Sequence, residues 1–424
     1  QPNNSRLSSG ARQKIHLSNL GLKRFRNFRE LQLDLRPGLS LFYGANGNGK
    51  SNLLEALYML AVAKSVRAQA DRELVGFGPS YQDCDETASE QIHSVVSATV
   101  DRSGGTVRIQ IDLVGPGPAD HPATGDPDLP PATDAEWSGA SFRKVIRVNG
   151  APRRAADLVG EFNAVLFSAQ DLELVYGAPA LRRRYLDVLI SQHDRTYLRA
   201  LQRYQRALTQ RNHLLRAIRN GWSSKDELGP WDDRLAQDGG YIVATRISAM
   251  AALRKRSATN YASLSDGAQT LRIDYRARLE PPLTNEHITS KGASEELAAA
   301  IERSSGRDVS QGHTGVGPHR DDMEIHLDGV DASRYASRGQ ARTAILALKF
   351  AEAEYLSRSR GETPVILLDD VLSELDPRRR ALVLDRVSGY DQCLITTAEL
   401  EAIPRARLSQ MNVYMVEHGA VSSE

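Results

Sequence analysis

Gly44, Gly49, Lys50 and Ser51 stand at the spacing G-x-x-x-x-G-K-[ST] in the stretch GANGNGKS. Three glycines beside a lysine and a serine make a poor core and a poor helix start, but they suit an anion. Glycines let a loop wrap so that successive backbone N–H groups point inward, and a following helix adds its unpaired donors and positive dipole end. The segment Gly44, Ala45, Asn46, Gly47, Asn48, Gly49, Lys50 and Ser51 is therefore expected to cradle phosphate. Lys50 would reach the outer phosphates and the Ser51 hydroxyl would hold Mg²⁺.

A second group lies in PVILLDDVLSELD, Pro364 to Asp376. An apolar strand ending in two carboxylates places them at the edge of a parallel sheet, where ligands bind. Asp369 would contact Mg²⁺, and Asp370 would orient or deprotonate the attacking water. Many ATPases place Glu at the second position, and an ordinary strand ending in an acidic turn has the same look. A third group is SRGQ, residues 337–340, before the apolar helix ILALKF. Ser337 and the free N–H groups of that helix start could bind a terminal phosphate; alone, the tetrapeptide is an N-cap.

The elements around these residues fit that chemistry. Leu39 to Tyr43 reads as a buried strand and Asn52 to Ala61 as a helix. Ile15 to Tyr43 divides into two or three strands, Ile92 to Val114 reads as a hairpin, and FRKVIRVNGAPRR as a strand and turn. Tyr197, Leu201, Tyr204, Leu208 and Leu215 recur at helical spacing; after GWSSKDELGPWDD a second helix begins near Gly240, with Ile242, Ala249 and Leu253 on one face. Together they predict an antiparallel helical arm. The expected organisation is a disordered leader over residues 1–13, the N-terminal part of a split nucleotide domain over 14–175 with a Pro/Gly-rich insertion at 115–139, a helical arm over 176–305, and the rest of the nucleotide domain over 306–424.

Hydrophobic content of 41% and charged content of 25% describe a globular chain, and no apolar run approaches the roughly 20 residues of a membrane span. Cys84 and Cys393 form neither a metal pattern nor a disulfide framework, so a reducing cytoplasm is the expected compartment. A net charge of +1 identifies no partner.

The order GANGNGKSN, SRGQAR, LLDDVLSELD resembles the head of the ABC-type ATPases of chromosome maintenance and repair. LKRFRNF, LFSAQDLELVYGAPALRRRYLD, QRNHLL and VGPHRDDMEIHLDG narrow the resemblance to the RecF family of bacterial recombination mediators, from about Ile15 to about Thr397. The implied fold is α/β: an ABC-type P-loop ATPase head, with a mixed sheet flanked by helices plus an antiparallel β region, and an inserted helical arm. By the same resemblance, Gly44 to Asn52 binds ATP, Ser337, Gly339 and Gln340 cap the γ-phosphate bound by the opposite protomer, and Ser373, Glu374, Leu375 and Asp376 form a D-loop at the dimer seam. Gln170 falls near the Q-loop glutamine. The switch histidine of transporters is absent; Thr396 or Thr397 is the implied γ-phosphate sensor, and slow hydrolysis is expected. The role of His319, Arg320, Asp321 and Asp322 is not derivable from spacing, and a buried structural network is preferred.

Arginines crowd the arm: Arg182, Arg183, Arg184, Arg195, Arg199, Arg203, Arg206, Arg211, Arg216 and Arg219. A charge run is commonly a solvated helix face; the family resemblance turns the expectation toward DNA. Arg182, Arg183, Arg184, Arg199, Arg203 and Arg206 are the candidate contacts to a duplex backbone next to a single-stranded gap, without base readout. The alternative for Arg182 to Arg184 is pairing with acidic residues of the nucleotide domain. The implied partners are DNA, RecR and RecO, with RecA loaded as the outcome, and an ATP-dependent homodimer. The alternatives are the nucleotide-binding subunit of an ABC transporter, which should carry a switch histidine, a chromosome-organising ATPase, which needs many more heptads, and a small-molecule P-loop kinase, which leaves SRGQ unexplained.

Overall fold

A computed structural model describes residues 14–76, 92–102, 104–115, 142–265, 267, 269–279 and 288–423. The expected leader, the insertion beyond Gly115 and Cys84 lie outside them. The chain forms two compact units: Gln1–Ala169 with Arg360–Glu424, and Gln170–Ser359 between them in sequence.

The first unit holds two six-stranded sheets. One is antiparallel in the order β2-β1-β4-β5-β6-β7, formed by β1 (Ile15–Phe25), β2 (Phe28–Asp34), β4 (Ile92–Arg102), β5 (Gly105–Gly115), β6 (Arg143–Val148) and β7 (Ala151–Arg153). The other runs β15-β14-β3-β13-β12-β8, from β3 (Gly38–Tyr43), β8 (Ala164–Phe167), β12 (Val365–Asp369), β13 (Gln392–Thr397), β14 (Met411–Glu417) and β15 (Ala420–Ser423). Its strands are parallel except for the β14–β15 hairpin. The helix Lys50–Val62 packs against strands of both sheets, which is why Leu53 to Ala61 are buried without a break and the helix has no polar face.

In the second unit the helices Arg195–Arg219 and Gly229–Leu264 run antiparallel: Arg203 meets Asp238 and, two turns on, Arg211 meets Asp232. Tyr197, Tyr204, Ile242 and Ala249 sit in its core, the apolar seam expected from spacing. The second helix starts eleven residues earlier than the sequence predicts, because Pro230 occupies its first turn, where a missing N–H costs nothing. The helices Pro179–Ser191 and Ser290–Gln311, most of Arg338–Arg360 and a small sheet belong to the same unit. In that sheet β10 (Asp322–Leu327) lies between β9 (Leu271–Arg276) and β11 (Val330–Asp331). This pairing, and the Asn260 amide donating to the Ala347 carbonyl at 3.2 Å, group residues 306–359 with the helices, whereas the sequence reading places its boundary at 305/306. Gly239 and Gly240 permit close packing: a Cβ at Gly240 would lie 2.4 Å from the Ser294 amide nitrogen. Among the described residues no helix is long and apolar enough to cross a membrane.

Candidate functional site

In the first unit, parallel pairing aligns the ends of β3, β12 and β13, with Asp369 beside Thr396 and Thr396 beside Phe42. The loop Gly44–Gly49 leaves from that edge. Gly44, Gly47 and Gly49 have φ of 149°, 88° and 109°, the region that favours glycine. A Cβ on Gly44 would lie 2.2 Å from the Val416 carbonyl oxygen, and one on Gly49 2.5 Å from the Asn27 amide nitrogen. The loop thus fits only without side chains at these points. Gly49 caps the helix with no side-chain hydrogen bond, and no acidic residue stands in the first turn, so the helix's positive end faces the loop uncompensated.

Lys50 is 6% exposed and donates to the carbonyls of Gly44 at 2.6 Å and Ala45 at 3.0 Å. Burial lowers its pKa, while Asp370 and Asp369 act the other way. The Ser51 hydroxyl donates to Asp369 Oδ1 at 2.7 Å, and Thr396 Oγ1 lies 3.0 Å from the same oxygen. Thr396 Oγ1 also accepts from the Asp370 N–H at 3.0 Å. Asp370 has φ of 53°, and its Oδ1 is buried with no hydrogen-bond partner. A hydroxyl, a carboxylate and an orphaned carboxylate oxygen beside a glycine cradle fit Mg²⁺ shared with phosphates, since Mg²⁺ takes few protein ligands and relies on phosphate oxygens. Thr397 instead closes a local turn with Glu399.

Spacing did not reveal what braces the loop. Asn27, in the β1–β2 turn, donates to the Asn48 carbonyl at 2.9 Å and accepts from the Asn52 amide at 2.8 Å. The Asn48 side chain donates to the Val416 carbonyl at 3.1 Å. The available signal was the asparagine in RNF, read only as a break between strands. Ser373 and Glu374 are exposed; Asp376 accepts from the Arg379 N–H and caps the helix Pro377–Val387.

In the second unit, SRGQ forms a reciprocal cap: the Gln340 N–H donates to Ser337 Oγ at 3.2 Å, and the Ser337 N–H to Gln340 Oε1 at 2.7 Å. Beside Gly339 a Cβ would meet nothing within 4 Å. Gln170 is exposed in the turn Ala169–Leu172, where the chain leaves the first unit.

The arginines divide. Arg182 makes a two-pronged pair with Asp322 at 2.8 and 2.9 Å, and Arg183 donates to the Asp321 carbonyl at 2.9 Å. Arg211 is fully buried between Asp308 and Asp232, which removes it from any DNA surface. Arg184, Arg199, Arg203 and Arg206 are exposed, Arg203 with Asp238 holding one side of its guanidinium.

His319 to Asp322 belong to a buried network. Asp321 accepts from the Tyr275 hydroxyl at 2.5 Å. Arg246, 2% exposed, reaches Asp187 at 2.6 Å and the Pro318 carbonyl at 2.7 Å. His319 Nε2 faces the Thr314 carbonyl at 3.1 Å, so the ring is assigned as Nε2–H, with Nδ1 accepting from the Tyr204 hydroxyl at 2.7 Å. Burial pushes its pKa down to about 4. The unfolded chain takes up a proton there near pH 6.5 while the fold does not, so stability present above pH 6.5 is lost as pH falls toward 4. The shift corresponds to up to about 3 kcal/mol. Melting curves across this range are expected to show an acid-side loss that shrinks in His319→Gln.

Comparisons with known proteins agree with this geometry. Residues 19–114 match the AAA domain family. The DNA replication and repair protein RecF of Chloroflexus aurantiacus is 39% identical over 412 residues, spanning 96% of this chain and 99% of that protein. A solved structure of the recombination mediator protein RecF with ATP, in the RecFOR pathway, superposes with a TM-score of 0.81 at 30% identity, over 98% of this chain and 100% of the other. The Smc head domain of Pyrococcus furiosus shares the fold alone, with a TM-score of 0.51 at 15% identity, over 97% and 96%. The near-complete coverage at this identity places the ABC-type head and inserted helical unit in one lineage: the chain belongs to the RecF family of DNA replication and repair proteins.

Proposed function

We propose that the chain is an ATPase of DNA repair in which ATP joins two copies around DNA. The observation that carries this is the junction of Lys50, Ser51, Asp369 and Thr396 at one sheet edge beneath the glycine loop. Gly44 to Asn52 would hold the triphosphate, with Lys50 exchanging its carbonyl partners for phosphate oxygens. Ser51 and Asp369 would hold Mg²⁺, which neutralises charge on the phosphates when bound. Asp370, its free oxygen buried at the edge, would orient the attacking water and accept its proton. Thr396 ties Asp369 to the backbone of Asp370, so the metal ligand and the base would move together.

Ser337, Gly339 and Gln340 would complete the site of a second copy, Gly339 leaving room for a phosphate; Gln170 would line the same seam. Hydrolysis would then release the dimer. DNA would meet the exposed arginines Arg184, Arg199, Arg203 and Arg206, whereas Arg182 and Arg183 serve the network around Asp321 and Asp322. RecO and RecR are the proposed partners, supported by the RecFOR context of the related structure, with loading of RecA as the result.

Sedimentation tests the central step. ATP and gapped DNA are expected to convert the wild type from monomer to dimer. Ser337→Arg should keep ATP affinity within about two-fold yet stay monomeric. A wild type that remains monomeric at saturating ATP with DNA present would sink the clamp.

A further inference from the structure

Where the helices Arg195–Arg219 and Gly229–Leu264 meet the start of Ser290–Gln311, they enclose a groove of about 420 Å³. Three cations line it, one from each helix: Arg203, Arg234 and Lys291. The lining carboxylate is Asp238, itself 3% exposed and bound by Nε and Nη2 of Arg203. Asp238 therefore fixes the Arg203 guanidinium and leaves its third nitrogen for a ligand. Arg234 is exposed and, among the described residues, makes no ion pair or hydrogen bond. Among the described residues, Lys291 has only a loose, exposed contact to Glu295 at 3.8 Å. Thr196 and Ser290 add hydroxyls, and the Tyr241 hydroxyl is turned to Asp194.

We infer that this groove seats a phosphate of the DNA backbone. One pre-set guanidinium, the exposed Arg234 and the loosely paired Lys291, converging from separate helices, match a single anion of that size. Nucleic acid is favoured over a free phosphate because the groove lies at the start of a helix that also carries exposed Arg199 and Arg206 on either side of Arg203. The stretch from Arg199 to Arg206 covers roughly 10 Å of helix, about three base steps along one DNA strand. Gly239 and Gly240 let the second helix approach the third closely at Leu297 and Ser294, beside Lys291. The inference rests on the DNA-binding reading proposed above and gives it a location that charge spacing along one helix does not.

The full chain with Arg234→Ala and Lys291→Ala together is compared with wild type and with Lys255→Ala, an exposed cation about 30 Å along the second helix. Binding to gapped duplex is titrated against salt, with ATP affinity and melting temperature measured alongside. The double variant is expected to lose about tenfold in DNA affinity and to shed about two from the slope of log K against log salt. Lys255→Ala should leave both unchanged, and all three proteins should bind ATP alike. Inorganic phosphate should displace DNA no better than chloride at equal ionic strength. Wild-type DNA affinity and slope in the double variant would overturn the seat while DNA binding stands. If inorganic phosphate binds wild type and not the double variant while DNA affinity is the same in both, the groove takes a small anion and the inference also falls. No DNA binding by wild type would remove the broader reading and the seat with it.

Discussion

Lys50→Met is expected to abolish ATP hydrolysis and to weaken ATP binding by about two orders of magnitude. The ammonium is held 2.6 and 3.0 Å from the carbonyls of Gly44 and Ala45, at the lip of the loop, and is almost wholly buried. Burial disfavours its charge, but Asp370 and Asp369 oppose that effect, so the cation is kept where phosphate oxygens would arrive. Charge-assisted hydrogen bonds contribute about 1.5–3 kcal/mol each, and loss of one or two accounts for the predicted factor. Methionine preserves the volume, so the packing beneath the loop should survive and the melting temperature without nucleotide should barely move. Calorimetric titration with ATP decides it. Binding by Lys50→Met within threefold of wild type would refute the assignment of the glycine loop.

The largest stability effect should come from a residue that counts as surface charge in the sequence. Arg211→Met is expected to cost about 3–5 kcal/mol, because it leaves Asp308 as a buried charge without its ion-pair partner. Both side chains are fully buried, with Arg211 Nη1 2.7 Å from Asp308 and 2.9 Å from the Thr314 hydroxyl, and Nε 2.5 Å from Asp232. The Gly315 N–H and the Ser304 hydroxyl still serve Asp308 but carry no full charge. For a unit of this size the loss corresponds to a fall in melting temperature of about 10 °C. Adding Asp308→Asn should recover part of it, since the stranded charge is then gone. A single variant that melts within 2 °C of wild type would show that the pair does not hold the helices together.

How much was legible follows from the range of each interaction. The glycine loop, the flanking strand and helix, and the Asp369–Asp370 edge are local patterns, and the structure brings Ser51 and Asp369 together although 318 positions separate them. The β4–β5 hairpin was equally local, with Arg102 opposite Gly105 across its turn. What escaped was partner choice. Arg182, Arg199 and Arg211 look alike in a helical repeat, yet one pairs with Asp322, one is exposed and one is sealed against Asp308. Asp322 stands 140 positions from Arg182 and Asp308 97 from Arg211, so periodicity reports the charge and not its fate. Asn27 was missed for the same reason: its work is done on Asn48 and Asn52, across a fold that the turn itself does not encode. SRGQ shows the converse, a short-range pattern whose N-cap geometry was fully readable.

The strand order of the parallel sheet has a consequence for synthesis. β3 lies between β13 and β14, and β8 pairs with β12, so neither early strand has an early neighbour in that sheet. The glycine loop is also propped by Val416, and the Gly419 N–H donates to the Asn48 carbonyl. Residues as far along as Val416 and Gly419 must therefore leave the ribosome before the loop can take its shape, whereas residues 170–359 form a unit of their own that emerges earlier. Truncated nascent products should thus fold residues 170–359 first and remain blind to fuel until the β14–β15 hairpin emerges.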